Sequence, residues 1–431
     1  MTKMCATVSR RCHCAALLAV LLAGVNAAAT AAATAAATGA SSDATLQPSW
    51  TFAGYGSAGV VHSSEQAADF TANALNPGSA GHSRRYAYDV DSRLAGQINL
   101  VVDARWSAVV QVVSERDVDH DFSPSVEWAN LKYRYSPDLS VRVGRIALPV
   151  FLVGDYRKAS YALPWVRPPV EVYSALPISH SDGVDLSYRW GAGLANNTTQ
   201  LSFGSTRLRV SPTAHANASH LIGLSNTTTL GALTVRGSVM TTRLTVDFAK
   251  PLFDVYRQFG AAGAALADNF DVSNKRTSVA TLGTSYDPGN WFVMAELGYL
   301  DADSYLGDKT VSYLSAGYRW DALTPYATWS NASANQSTVV AGLPLGGLPP
   351  QLAPVAGALN AQLNGLLSRI AVQRTISAGL RWDYMRDRSL KLQYDRLVTR
   401  GGSAGTLLNI QPEFRSGQPM HAVSVMLDVV F

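Results

Sequence analysis

The chain ends on HAVSVMLDVVF (residues 421–431), which alternates with a period of two up to its last residue. Chain ends are poorly ordered unless the fold ties them down, whereas a strand that closes a barrel must be ordered to its end. The pattern therefore predicts a closing barrel strand with one apolar face. That face carries Val423, Val425, Leu427, Val429 and Phe431, and the mixed face carries Ala422, Ser424, Met426, Asp428 and Val430.

The same alternation recurs from Trp50 onward in segments of about ten residues, as in transmembrane β-barrels. The fold class predicted is all-β, a transmembrane antiparallel up-and-down β-barrel of about 16 strands. The strands predicted are 50–62, 87–102, 105–116, 125–136, 138–147, 182–190, 199–210, 218–229, 232–247, 276–286, 291–302, 309–320, 324–333, 369–384, 388–400 and 420–431.

Short and long connections alternate without a break along these segments. Short ones include SPD (136–138) and YDPGN (286–290), and long ones include 63–86 and 148–181. In a barrel, this alternation leaves every short turn on one rim and every long loop on the other. The alternative, a soluble sandwich, gives no reason for such a rhythm. Aromatic residues beside the short turns, among them Trp106 and Trp291, suit a lipid–water boundary.

The first residues read as a secretory signal peptide, 1–27, with basic residues before an apolar core at 15–25. A membrane anchor is the alternative, but the core is short for one. A flexible Ala/Thr-rich leader, 28–48, follows, and the barrel is predicted over 49–431. The expected location is the outer membrane of a bacterial cell.

Cysteines and charge exclude several classes of function. All three cysteines precede residue 15, so the mature chain is predicted to hold no disulfide and no cysteine metal site. Removing the three basic residues of the signal leaves 32 basic residues (35 minus 3) against 31 acidic ones. This balance gives no basic stripe for a nucleic acid. No cofactor and no metal are predicted.

Sixteen strands would enclose a water-filled lumen. Charged side chains on the strands are assigned inward, because an Arg or Lys facing lipid at mid-membrane costs about 2–4 kcal/mol. Basic residues outnumber acidic ones there, which favours anions mildly. The inward set comprises Asp91, Arg93, Gln97, Asn99, Lys132, Arg134, Arg142, Asp185, Arg189, Arg207, Arg209, Arg236, Glu296, Arg319, Arg381, Lys391, Asp395 and Asp428.

One long connection, LPVFLVGDYRKASYALPWVRPPVEVYSALPISHSDG (148–183), is too apolar for an extracellular tip. Such a loop must bury its apolar surface, and the lumen is the space in a barrel where it can do so. Folded inward, it would constrict the pore; a lid over the mouth or a surface for a neighbouring subunit are the alternatives. The loop residues predicted at the constriction are Asp155, Arg157, Lys158, Arg167 and Glu171, facing wall residues Arg93, Lys132, Arg134, Arg142, Arg189 and Arg381.

The sequence resembles the Gram-negative outer-membrane porin superfamily in four features. These are a signal peptide, sixteen strands, a long third loop after VRVGR (141–145) and a terminal Phe. The resemblance implies a third loop whose acids, here Asp155 and Glu171, face a ladder of wall arginines. It also implies a homotrimer and recognition of Phe431 by the barrel assembly machinery. The loop is longer and richer in proline than the general porin pattern and lacks a Pro-Glu-Phe-Gly-Gly motif.

The function predicted is passive diffusion of small hydrophilic solutes and ions through a porin in contact with outer-membrane lipid. A substrate-specific channel for sugars or anions is the main alternative. An aromatic slide could come from Tyr156, Tyr161, Trp165 and Tyr173, and a basic cluster from Arg157, Lys158 and Arg167, although the same residues also suit the packing of a large inserted loop. A barrel-embedded hydrolase is a weaker one, since the sequence has no HExxH or GxSxG motif. No enzyme activity and no nucleic-acid partner are predicted.

Overall fold

The computed structural model of the protein describes residues 47–431. The predicted signal peptide (1–27) lies outside the described residues, as does the predicted leader (28–48) except for its last two residues. The first strand begins at Ser49.

Sixteen antiparallel strands close into one barrel, which confirms the predicted fold class. A further hairpin, β2 and β3, lies in the first long loop. The strands are β1 Ser49–Ser63, β2 Asp69–Phe70, β3 Ala80–Gly81, β4 Arg93–Val101, β5 Trp106–Glu115, β6 Pro124–Arg134, β7 Leu139–Ala147, β8 His180–Ala192, β9 Ala195–Arg209, β10 His215–Leu230, β11 Leu233–Val246, β12 Lys275–Tyr286, β13 Trp291–Asp301, β14 Lys309–Tyr318, β15 Leu323–Ala334, β16 Gln373–Met385, β17 Arg388–Thr399 and β18 Pro419–Val430.

The barrel closes where β18 pairs with β1. Gly56 lies opposite Val429, and the register continues to Ser63 opposite Ala422. At the chain end, the amide of Phe431 donates to the carbonyl of Gly54 at 3.0 Å, and the amide of Gly54 donates to the carbonyl of Phe431 at 2.7 Å. The final residue therefore takes part in closure, as the terminal alternation predicts.

Each strand buries one face and exposes the other. On β13, Phe292, Met294 and Glu296 are buried towards the lumen, whereas Leu297 and Tyr299 are exposed on the outer surface. The aromatic residues beside the short turns also lie outside; Trp320 is 70% exposed. Such residues suit a membrane interface, being apolar in the ring and polar at the edge.

The inward assignment of Arg207 and Arg209 is wrong. On β9, Ser202 and Thr206 are buried in the lumen, so both arginines point outwards and are exposed. The neighbouring Leu208 packs inwards against an apolar cluster of loop helices. The interior at that height is apolar, which reverses the usual choice of face for a charged residue.

Short turns and long loops alternate around the barrel as predicted, and the strand ends lie within a few residues of the predicted ones. The largest difference is at β4, which begins at Arg93 instead of residue 87. Gly193 and Gly231 adopt φ of 59° and 57° in two short turns, a left-handed conformation that glycine adopts without a Cβ penalty.

Helices occur only in the long loops of the described residues. They are α1 Val170–Tyr173, α2 Lys250–Tyr256, α3 Gly260–Phe270 and α4 Ala353–Leu367. The last three pack together over the ends of β10 and β11 in one apolar cluster. Within residues 47–431, no helix is long and apolar enough to cross a membrane.

A test of closure uses two glycines that face each other on the outer surface. In Gly54→Ala the new Cβ would lie 2.4 Å from the Phe431 ring and 2.8 Å from the Ala95 carbonyl oxygen. We expect the free energy of unfolding to fall by about 1–3 kcal/mol from overpacking. Urea unfolding followed by tryptophan fluorescence measures it.

The matched control is Gly96→Ala, because Gly96 pairs with Gly54 in register. A Cβ there would come no closer than 3.7 Å, to the ring of Phe52. Equal stability of the two variants would mean that the contact between Phe431 and Gly54 does not stabilise the pairing of β1 with β18.

Candidate functional site

The third long loop, residues 148–179, leaves β7 and folds into the barrel before β8 begins. Its apolar residues join side chains of the opposite wall in one buried cluster. Phe151, Trp165 and Tyr173 come from the loop, and Tyr313 and Tyr326 come from β14 and β15. The predicted burial of this loop in the lumen is confirmed.

Trp165 contacts polar side chains of the opposite wall. Its side chain is 1% exposed, and its indole Nε1 donates to the hydroxyls of Ser315 at 2.9 Å and Thr328 at 3.1 Å. The ring stands edge-on to Tyr313, with 5.8 Å between centroids. A buried indole N–H needs such an acceptor, so these contacts fix the position of the loop against β14 and β15.

Arg167 connects the loop to residues on both sides of the junction between β1 and β18. Its guanidinium donates to Asp91 at 2.6 Å, to Asp395 on β17 at 2.9 Å and to the Ser424 hydroxyl on β18 at 2.6 Å. All of these groups are buried. Burial alone would lower the pKa of Arg167, but the two carboxylates outweigh it and hold this pKa above its ordinary value.

Lys158 forms ion pairs with two carboxylates of the adjacent wall. Its ammonium lies 2.6 Å from Glu115 on β5 and 2.7 Å from Glu127 on β6. Burial opposes the charged form, yet the two acids raise the pKa of Lys158 above its usual value. Lys158 therefore remains charged and anchors the loop at a second point.

Arg157 stabilises the loop itself. Its guanidinium is buried and donates to the carbonyl oxygens of Leu176 at 3.1 Å and Pro177 at 2.7 Å. Burial lowers the pKa of Arg157. The contacts join the start of the loop to its end, so this arginine does not reach open space in the lumen.

The two loop acids differ in their partners. Asp155 pairs with Arg236 on β11 at 3.2 Å, a wall residue outside the predicted constriction set. Glu171 is 2% exposed and accepts from Ser330 at 2.6 Å, from Gln373 at 2.5 Å and from Thr375. Only Asp155 faces a wall arginine, and Glu171 is held by neutral donors.

Basic residues of the wall also bind the loop backbone. Arg381 on β16 donates to the carbonyl oxygens of Tyr161 at 2.6 Å and Leu163 at 3.0 Å. Lys391 on β17 donates to those of Ser160 at 2.5 Å and Trp165 at 3.0 Å. The loop thus presents carbonyl groups to the cations of β16 and β17, a source of binding that residue types alone do not reveal.

A different wall carries basic residues that the loop leaves partly exposed. Lys132 and Arg134 lie on β6, Arg142 lies on β7, and Arg189 lies on β8 near the short-turn rim. Arg142 forms a bidentate pair with Asp185 at 2.9 and 3.0 Å. Among residues 47–431, the other three form no ion pair. Of the predicted wall residues, Arg93 lies apart from this cluster, 3.8 Å from Glu115.

A cavity of about 400 Å³ lies between the loop and the wall towards the short-turn rim. Tyr156 and Tyr161 line it from the loop, and Arg319 and Arg381 line it from the wall. No cluster of three or more His, Cys, Asp or Glu side chains suited to a metal ion occurs in the described part of the chain.

Sequence reasoning missed the partners of the loop cations. Asp91 and Asp395 were assigned inward, but their pairing with Arg167 depends on where the loop enters, and alternation within the strands does not give this. Glu127 faces inwards at a register shift between β5 and β6, which period-two counting cannot place. The constriction role of the eleven residues stays a prediction.

Solved structures with the same architecture are bacterial outer-membrane channels. An anion-selective porin from Comamonas acidovorans has a TM-score of 0.53 at 13% identity, covering 89% of this chain and 100% of that chain. OmpF of Salmonella typhi, in complex with daunomycin, has a TM-score of 0.54 at 12% identity, covering 89% of this chain and 97% of that chain. The outer-membrane channel DcaP of Acinetobacter baumannii has a TM-score of 0.50 at 11% identity, covering 89% of this chain and 98% of that chain.

No family model matches the chain, and no curated protein matches it in sequence. At these identities the structural likeness speaks for the fold. The fold is that of Gram-negative outer-membrane porins, as the sequence resemblance predicts.

Arg167→Gln tests whether the third loop is held by buried charge. The substitution leaves Asp91 and Asp395 without their cation, and we expect the free energy of unfolding to fall by about 3–5 kcal/mol. Urea unfolding in detergent gives the value.

Arg319→Gln is the control, because Arg319 pairs with Asp287 at 2.6 Å but both side chains are about 40% exposed. An exposed pair contributes about 0–1 kcal/mol. Equal losses in the two variants would contradict the anchoring role of Arg167.

Proposed function

We propose that the chain is an outer-membrane channel through which small hydrophilic solutes diffuse passively, with a preference for anions. The observation that carries this proposal is the partly exposed basic wall of Lys132, Arg134, Arg142 and Arg189. It lies inside a closed barrel whose outer surface is apolar.

The third loop divides the lumen unequally. Inward residues on the strands beside it, such as Ser315, Lys391, Ser424 and Asp428, are 0% exposed. In contrast, the Arg142 side chain on the far wall is 28% exposed. This difference supports a water-filled path between the loop and the strands β6 to β8.

Charge along that path favours anions. Asp185 neutralises Arg142 and is itself buried, whereas Lys132, Arg134 and Arg189 have no carboxylate partner within residues 47–431. Rings or clusters of one charge set ion selectivity in channels. The loop cations contribute little, because Lys158 and Arg167 are paired with wall acids.

A substrate-specific channel is the second candidate, and the cavity of about 400 Å³ favours it. Aromatic faces and ion-paired arginines meet there: the Arg381 guanidinium lies 4.8 Å from the Tyr161 ring centroid. A mixed lining of this kind suits a small polar solute with an apolar face.

The homotrimer and the recognition of Phe431 by the assembly machinery stay predictions from the resemblance. The absence of an enzyme activity likewise stays a prediction from the sequence.

Lys132→Glu combined with Arg134→Glu tests the path. We expect the reversal potential in a salt gradient across a planar bilayer to move towards cation preference, because two unpaired positive charges become negative. Arg386→Glu is the control, since it makes the same kind of change on a short turn outside the lumen, where the side chain is 74% exposed.

An unchanged reversal potential in the double variant would mean that Lys132 and Arg134 do not line the path of the ions. Conductance that saturates with one solute, and loses saturation in Tyr161→Ala, would replace the general channel with the specific one. Absence of any conductance from the folded wild-type barrel would overturn both.

A further inference from the structure

Three exposed arginines lie together on the outer surface below the long-loop rim. They are Arg207 on β9, Arg243 on β11 and Arg276 on β12. Each points away from the lumen, because Thr206, Leu244 and Val279, which alternate with these arginines along the same strands, are on the buried face. Charges on the outside of an apolar barrel require an explanation, since they cannot be solvated by lipid tails.

The register brings these charges close to one another. Arg243 and Arg276 are direct partners across β11 and β12. Arg207 lies opposite Asn217 on β10, and Asn217 lies opposite Thr245, one step along the same face from Arg243. Directly opposed like charges destabilise a sheet, so this arrangement costs stability unless an anion lies between them.

No carboxylate in the described chain neutralises the three. Within residues 47–431 none of them forms an ion pair. The nearby outer acid Asp301 lies opposite Ser278 instead. Two other outer arginines do have such partners: Arg145 binds Asp182 at 2.7 Å, and Arg209 binds Asp119.

In the same described part of the chain, Arg374 and Arg396 also face outwards without an ion pair, but they lie opposite Val398 and Ile376 and not opposite each other. The present group differs because Arg243 and Arg276 oppose each other directly.

The height of the cluster on the barrel indicates what the anion is. Val239 and Leu282, on the same two strands, are 53% and 57% exposed and belong to the apolar band. Arg243 lies four residues beyond Val239, which is about 13 Å along a strand. This distance carries the guanidinium groups out of the hydrocarbon towards the headgroup layer on the long-loop side.

We propose that Arg207, Arg243 and Arg276 bind a phosphorylated lipid headgroup in the membrane leaflet on the long-loop side. Guanidinium groups bind phosphate oxygens in pairs, and two phosphates would satisfy three arginines. The short-turn rim carries aromatic residues at the equivalent height, such as Trp291 and Trp320, so the two rims suit different headgroups. The proposal rests on the proposed membrane location but not on conduction.

The test compares Arg243→Gln/Arg276→Gln with the wild-type barrel, using diphosphorylated lipid A as the probe. Native mass spectrometry of the detergent-purified protein at increasing lipid A gives an apparent dissociation constant. We expect the double variant to bind about thirtyfold more weakly, because each arginine near a charged membrane surface contributes about one kcal/mol. Dephosphorylated lipid A should bind wild type and variant equally.

Arg105→Gln/Arg386→Gln is the matched control: it removes the same charge from exposed positions on the short-turn rim and should leave lipid A affinity unchanged. Equal lipid A affinity of wild type and the Arg243/Arg276 variant overturns the proposal. So does a change of oligomeric mass without a change of affinity, which would assign the cluster to a subunit contact. Planar-bilayer conductance of the same preparations is recorded separately, so failure of the channel and failure of the lipid site are distinguishable.

Discussion

The structure depends on the pairing of the last strand with the first. In a membrane, an unpaired sheet edge leaves backbone N–H and C=O groups without partners, at a cost of several kcal/mol each. The two hydrogen bonds between Gly54 and Phe431 remove that edge at its final residue. Closure then gives every strand one face that points outwards and one that points into the lumen. The separation of an outer apolar band from the lumen and the two unlike rims follow from this constraint.

The closed wall makes the lumen a site where charge must be balanced locally. Two of the three cations of the third loop each meet a pair of carboxylates: Lys158 with Glu115 and Glu127, Arg167 with Asp91 and Asp395. Buried ion pairs add little net stability, but they penalise any other position of the loop. They therefore define where the lumen is filled, and leave the basic wall of β6 to β8 beside the remaining space.

Where the interior is apolar, the relation between charge and face is reversed. Helices α2, α3 and α4 fill the mouth beside β10 and β11, so Leu244 points inwards and Arg243 outwards. The rule that charges face the lumen assumes water inside, and it failed for Arg207 and Arg209 for this reason. The same reversal creates the outer arginine cluster, so packing inside the barrel decides which charges lie on its outer surface.

Period-two alternation and the rhythm of short and long connections determined the sixteen strands, the barrel and the plan of its rims, because strand faces and turn lengths are local properties. An apolar, proline-rich loop also had to be buried, and the lumen was the space available. Only the tertiary structure decided which acids hold Lys158 and Arg167, that Glu171 is bound by neutral donors, and that Arg207 faces outwards. Those outcomes depend on residues far apart in the chain, whose meeting is fixed by barrel closure and loop entry.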